Sequence, residues 1–212
     1  MNEAISVSKV VCRGVLNGLD LNLYKGSLTV LLGPSGSGKT TLFKLLTGEL
    51  QSDNGEILVG GVSVTSLAKS AIAKFRQKIG VVFQDVELLE DRNVGEQIAL
   101  PLEIEGMKKA DRQKRVDEVI ERFQLQDLRD KSPNSLSMSE RQRVAIGRAV
   151  AGEPMVLLAD EPAAHLDYAA AIQIANLLTH ENLRGMTILI GTSNPDFAGL
   201  FPKALVMSTG KI

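Results

Sequence analysis

Residues 33–41 read GPSGSGKTT and stand between a largely apolar run, LTVLL, and an amphipathic one, TLFKLL. Few nonapeptides restrict a fold so tightly. Gly33, Gly36 and Gly38 let successive backbone N–H groups turn inward, and the helix that follows adds the positive end of its dipole, so the segment is suited to surround phosphate oxygens. Lys39 supplies a point charge for β- and γ-phosphates, Thr40 a hydroxyl for Mg²⁺, and Pro34, Ser35, Ser37 and Thr41 complete the candidate binding stretch. The competing reading is an ordinary glycine turn with a solvated lysine. At average residue frequencies the four specified positions of G-x-x-x-x-G-K-[ST] recur by accident in about one chain of this length in a hundred. The apolar run before and the helical pattern after make that accident rarer.

Such a strand–loop–helix unit needs a sheet around it. LTVLL, KIGVVF, MVLLA and MTILIG are short, apolar and separated by helical segments, which predicts an α/β fold with a mainly parallel sheet covered on both faces. Alternating residues such as LDLNL near the start predict an antiparallel β edge. From about Asn93 to Val150 the apolar spacing becomes helical, with Asn93, Asp111 and Ser137 or Ser139 as candidate N-caps. The expected organisation is a single domain over 1–212. Its nucleotide-binding α/β core comprises 1–84 and 151–212, and a helical subdomain is inserted at 85–150. KKADRQKR reads as a solvated helix face, and Cys12, the one cysteine, as a small core residue.

MVLLADEP ends an apolar strand in two carboxylates. Asp160 can orient a cation, and Glu161 can reach a water that attacks the γ-phosphate. An Asp-Glu pair after a strand is usually a polar loop; beside the phosphate cradle it becomes a catalytic candidate. Charge narrows the partners: 24 basic against 25 acidic residues leave no overall basic field for nucleic acid or an anionic membrane. No basic-then-apolar leader is visible, and no apolar run approaches the roughly 18 residues a membrane-spanning helix needs. The expectation is a cytoplasmic protein that meets the membrane only through a partner.

With both motifs and SLSMSERQRVAIGRAV in place, the chain resembles the ATP-binding subunits of the ATP-binding cassette (ABC) family over essentially its whole length. GVVFQD adds Gln84, which matches the glutamine that touches Mg²⁺ and the attacking water. AAHLD adds Asp167 at the family's dimer-contact aspartate. The look is closest to the branch with lipoprotein-release, macrolide-export and cell-division ATPases. The resemblance implies a P-loop NTPase core of ABC type and Mg-ATP as ligand. Thr40, Gln84 and Asp160 would lie around the metal, and Glu161, Gln84 and Lys39 would act in hydrolysis. It also implies two subunits, alike or unlike, sandwiching ATP and moving an integral membrane permease, without nucleic acid. The alternative is an ATP-responsive regulatory or scaffold subunit with negligible turnover, like a cell-division member.

Three departures from the family pattern qualify this. The signature L-S-G-G-[EQ] here reads Leu136, Ser137, Met138, Ser139, Glu140. Ser137 and Ser139 keep their donors for a facing γ-phosphate, while Met138 adds bulk and restricts φ. The family's Thr-His after the last core strand is Thr192, Ser193, so the γ-phosphate position falls to Ser193. Loss of one positioned donor is expected to slow hydrolysis by about 10²–10³. Finally, VSKVVCRGV has no aromatic to stack on adenine and Tyr24 looks out of register, a deficit of about 1–3 kcal/mol that predicts weak base discrimination.

Overall fold

The structure is a computed structural model that describes residues 3–212. Two sheets build it. β1 (Glu3–Cys12), β2 (Leu16–Tyr24), β4 (Asn54–Val59) and β5 (Val62–Ser63) form an antiparallel sheet in the order β2-β1-β4-β5. β6 (Ile79–Val82), β7 (Val156–Asp160), β8 (Thr187–Thr192), β3 (Leu28–Leu32) and β9 (Ala204–Val206) form a parallel sheet in the order β6-β7-β8-β3-β9. Every strand read from an apolar run is present.

Two-residue alternation explains how one parallel sheet serves two cores. Val156 and Leu158 of β7 and Leu189 of β8 point to one side. There they pack with α1 (Lys39–Leu46) and the inward residues of the antiparallel sheet. Leu157, Ala159, Ile188 and Ile190 point to the other side, against the remaining helices. β7 and β8 are buried at every position, and hence carry no polar face until their C-terminal ends. Cys12 is buried in the first core, as expected.

After α2 (Lys69–Arg76), the helical stretch consists of α3 (Val94–Ile104), α4 (Lys109–Arg122), two 3₁₀ turns and α5 (Met138–Val150). Asn93 caps α3 in a reciprocal box with Glu96, and Ser137 caps α5 in another with Glu140. Of the two serine candidates it is therefore Ser137 that acts. Asp111 does not cap α4: the helix starts two residues before it, after an extended Lys108, and Asp111 lies in the first turn, where its charge suits the helix dipole. The inserted helices do not form a core of their own. Val119, Phe123, Ile146 and Val150 belong to the same apolar cluster as Val30 and Ile190 of the sheet.

α6 (Tyr168–Leu183), capped by Asp167, and the short α7 (Pro195–Ala198), capped by Asn194, complete the helical layer. Gly191 in β8 fixes how closely α1 approaches. A Cβ there would lie 2.6 Å from Cε2 of Phe43 and 3.2 Å from Oδ1 of Asp160, so only glycine lets the helix ring press onto the strand. No helix among the described residues is long and apolar enough to cross a membrane.

Candidate functional site

The cradle forms because β3 ends where α1 must begin. Gly36 (φ 80°) and Gly38 (φ 108°) occupy the left-handed region that lets the loop reverse. Gly33 has no room for a side chain, because a Cβ would strike the Met207 carbonyl and come within 2.7 Å of Ser37 Oγ. No side chain caps α1 and no acidic residue sits in its first turn, so its leading N–H groups stay open to an anion. Lys39 is buried and donates from Nζ to the carbonyls of Gly33 (2.7 Å) and Pro34 (3.2 Å), which aims the ammonium along the loop. Ser37 Oγ is buried without a partner.

The carboxylates arrive from β7, beside the cradle strand's neighbour β8. Thr40 Oγ1 donates to Asp160 Oδ2 at 2.7 Å, joining residues 120 positions apart. The other oxygen, Asp160 Oδ1, is buried and unpaired. Burial pushes the Asp160 carboxyl above its ordinary range; the Thr40 hydroxyl pulls it down, and the Glu161 charge pushes it up. An orphaned oxygen on a carboxylate whose charge is disfavoured by burial, beside the Thr40 hydroxyl, fits a divalent cation, which would supply the missing charge compensation. Gln84, on the loop after β6, lines the same cleft as Thr40 and Glu161.

Glu161 adopts φ 47°, rare for a residue with a side chain, and the structure fixes it at three points. Its N–H donates to the Gly191 carbonyl (2.8 Å), Oε2 accepts from Thr192 Oγ1 (3.0 Å), and Oε1 lies 3.7 Å from Lys39 Nζ. The carboxylate is thus held at the mouth of the cradle in an orientation suited to accept a proton from water. Thr192 is itself oriented, accepting at Oγ1 from the Asn194 N–H at 3.1 Å. Nothing in the sequence signals this contact, because Thr192 meets Glu161 only once β7 and β8 lie side by side.

Ser35, Gly36, Gly38, Lys39, Thr40, Thr41, Gln84 and Glu161 therefore meet around one cleft of about 270 Å³, joined by Val15 from the tip of the β1–β2 hairpin. Tyr24, at the far end of β2, is not among its lining residues. Ser137, Met138 and Ser139 stand at the N-terminus of α5, outside the lining of this cleft, with Met138 47% exposed. Ser193 is exposed, and the residue after it is committed to capping α7. His165 lies on the exposed turn before α6, and His180 on α6 beside Arg122 and Glu181.

The family model described as ABC transporter matches residues 16–164. A cell division ATP-binding protein, FtsE of Haemophilus influenzae, is 41% identical over 196 residues, covering 92% of this chain and 90% of that protein. The methionine import ATP-binding protein MetN of Rhizobium johnstonii is 38% identical over 199 residues; the alignment covers 93% of this chain but only 55% of MetN. Among solved structures, cbiO1 of Clostridium perfringens, part of the transporter complex cbiONQ, superposes with a TM-score of 0.92 at 30% identity, covering 100% and 87% of the two chains. The dimeric cassette MJ0796 in a post-hydrolysis state with ADP and Pi gives 0.88 at 29%, covering 98% and 96%.

Proposed function

Since this chain is an ATP-binding subunit of the ABC transporter family, we propose that it binds Mg-ATP in the cleft between Gly33–Thr41 and Glu161, hydrolyses it slowly, and passes the resulting closure to a membrane permease. One observation carries the reading: Lys39 and Thr40 at the start of α1 meet Asp160 and Glu161 at the end of β7 through contacts of 2.7 Å (Thr40–Asp160) and 3.7 Å (Lys39–Glu161).

Each residue has a task. The loop N–H groups and Lys39 hold the β- and γ-phosphate oxygens. Thr40, Asp160 and Gln84 would hold Mg²⁺, which would neutralise charge on those oxygens when bound. Glu161, steadied by Thr192, takes the proton of the attacking water. Ser137 and Ser139 act across a dimer, on the nucleotide of the second subunit, which is why they lie away from this chain's own cleft. The permease contact belongs to a largely apolar groove of about 450 Å³ between the sheet and the helices, where Ile79, Val81, Leu100, Pro101 and Ile104 form the floor. The protein then works on the cytoplasmic side of a membrane as a peripheral subunit.

A second reading is favoured by one comparison and one position. The similarity to a cell-division protein and the exposed Met138 suit a subunit that closes on ATP and signals with negligible turnover. Phosphate release from the protein reconstituted with its permease separates the two. Release above that of a Glu161→Gln control supports hydrolysis, and a large rate gain in Ser193→His identifies the missing donor as limiting. Release equal to the control, together with ATP-dependent dimerisation, supports the signalling subunit. No saturable ATP binding, with Lys39→Ala behaving identically, sinks both.

A further inference from the structure

α4 and α6 do not close fully where Arg122 meets Glu181. They leave a cavity of about 340 Å³ lined by Arg122 from α4, by Leu177, His180, Glu181 and Leu183 from α6, and by Arg184 just after it. None of these residues lines the phosphate cleft. The volume suits a small organic molecule.

The lining is two-sided. Three basic side chains stand against a single carboxylate, Glu181, which is 4% exposed. Burial pushes the Glu181 carboxyl up, and Arg122, Arg184 and His180 all pull it down, in that order, so the three act on one point. Arg122 Cζ lies 5.9 Å from the centre of the Phe123 ring, and its buried Nε stands 3.5 Å from Glu181 Oε1 without a hydrogen bond. Among the described residues, His180 and Arg184 enter no ion pair and no side-chain hydrogen bond. Arg115, two turns earlier on α4, is by contrast engaged by Glu118 (3.1 Å) and Glu153 (2.6 Å). The other side is aliphatic: Leu183, at 78%, is the most exposed large apolar side chain among the described residues, and Leu177 lines the cavity with it. His180 and Arg184 also suit the negative end of the α6 dipole, but that accounts neither for the unpaired Arg122 nitrogen nor for a leucine left in water.

We propose that this cavity binds a phosphate monoester with an aliphatic body, its phosphate on Arg122, Arg184 and His180 and its chain against Leu177 and Leu183. Planar guanidinium groups match phosphate oxygens in pairs, and two of them with an imidazole outweigh the one buried carboxylate. The site stands independently of the ATP reading.

The test follows the chain's two histidine side chains by NMR, His180 in the cavity and His165 outside it, while the full chain is titrated with hexyl phosphate and, separately, with inorganic phosphate. A saturable His180 shift with hexyl phosphate, about tenfold tighter than with inorganic phosphate, supports the proposal; that ratio is roughly what two buried methylenes supply. Lys39→Ala should leave the His180 response unchanged, which separates this cavity from the phosphate loop. Arg184→Ala should weaken both ligands about tenfold, the worth of one charge-assisted hydrogen bond, and Leu183→Ser should remove only the hexyl advantage. Both residues are exposed, so neither change threatens the fold. Phosphatidylcholine vesicles containing phosphatidic acid identify the source. Broadening of the His180 signal that Arg184→Ala abolishes assigns a lipid headgroup, and a response to hexyl phosphate alone assigns a free ester. A His180 response that is linear in ligand, equal for the two phosphates, indifferent to Arg184→Ala or lost in Lys39→Ala overturns the proposal.

Discussion

Thr192 shows what a single residue adds that no motif announces. Its hydroxyl donates to Glu161 Oε2 at 3.0 Å across 31 positions, so the pairing exists only after β7 and β8 lie side by side. The phosphate loop, by contrast, is complete within nine neighbouring residues and could be read directly. Thr192→Val should lower kcat about tenfold, the worth of a hydrogen bond to a charged group, while leaving the ATP dissociation constant within error. Equal losses in both would contradict a positioning role. Asp160 carries a cost to the fold. Burial raises its folded pKa, so it favours folding most at low pH, and that benefit is lost as pH rises through the raised value. Asp160→Asn should therefore melt above wild type near neutral pH in the absence of divalent cation. The gain would be about 2–4 °C for each kcal/mol relieved, with the gap closing in acid. The same variant should lose the dependence of ATP affinity on Mg²⁺. A melting gap that does not narrow in acid would refute this account.

At the level of elements, boundaries were legible where a side chain supplies the missing partner of a helix end. Asn93 and Ser137 announce α3 and α5 because each has glutamate three residues on. The start of α4 is not legible in this way, since Lys108 offers no side-chain cap and Asp111 lies inside the first turn. In α5, Ser137 N–H and Oγ both donate to Glu140 Oε2 at 2.8 Å, and these bonds hold the Glu140 carboxyl below its usual range. Ser137→Ala should cost about 1 kcal/mol by urea unfolding. Because the Glu140 pKa is depressed on folding, its contribution is present above the ordinary carboxylate range and disappears as pH falls through the lowered value. A Ser137→Ala penalty that grew in acid would count against this box.

Considered whole, the molecule has one core on each face of its parallel sheet, and α3, α4 and α5 share one of them. Sequence periodicity gives the helices of this stretch, but not that Phe123 and Ile146 join the cluster of Val30, because periodicity gives the face of a helix and not its neighbour. α4 and α6 are also linked by Arg122 and Glu181, 3.5 Å apart and mostly buried. Burial lowers the arginine pKa and raises that of the glutamate, while each partner's charge pulls the other back. Arg122→Met alone should destabilise by about 3 kcal/mol by leaving Glu181 uncompensated. Arg122→Met with Glu181→Leu should recover wild-type stability or exceed it. Denaturant midpoints for the two variants measure the difference, and a double variant as weak as the single one would show that the pair is net stabilising.

Gly191 has a wider consequence. With no side chain between the Phe43 ring and the Asp160 carboxylate, the distance from the phosphate-gripping helix to the acid-bearing strand is set by van der Waals contact inside the protein. Solvent-facing positions such as Met138 and Ser193 can therefore change without disturbing that internal spacing. A single methyl at 191 would widen it and separate grip from chemistry in one stroke.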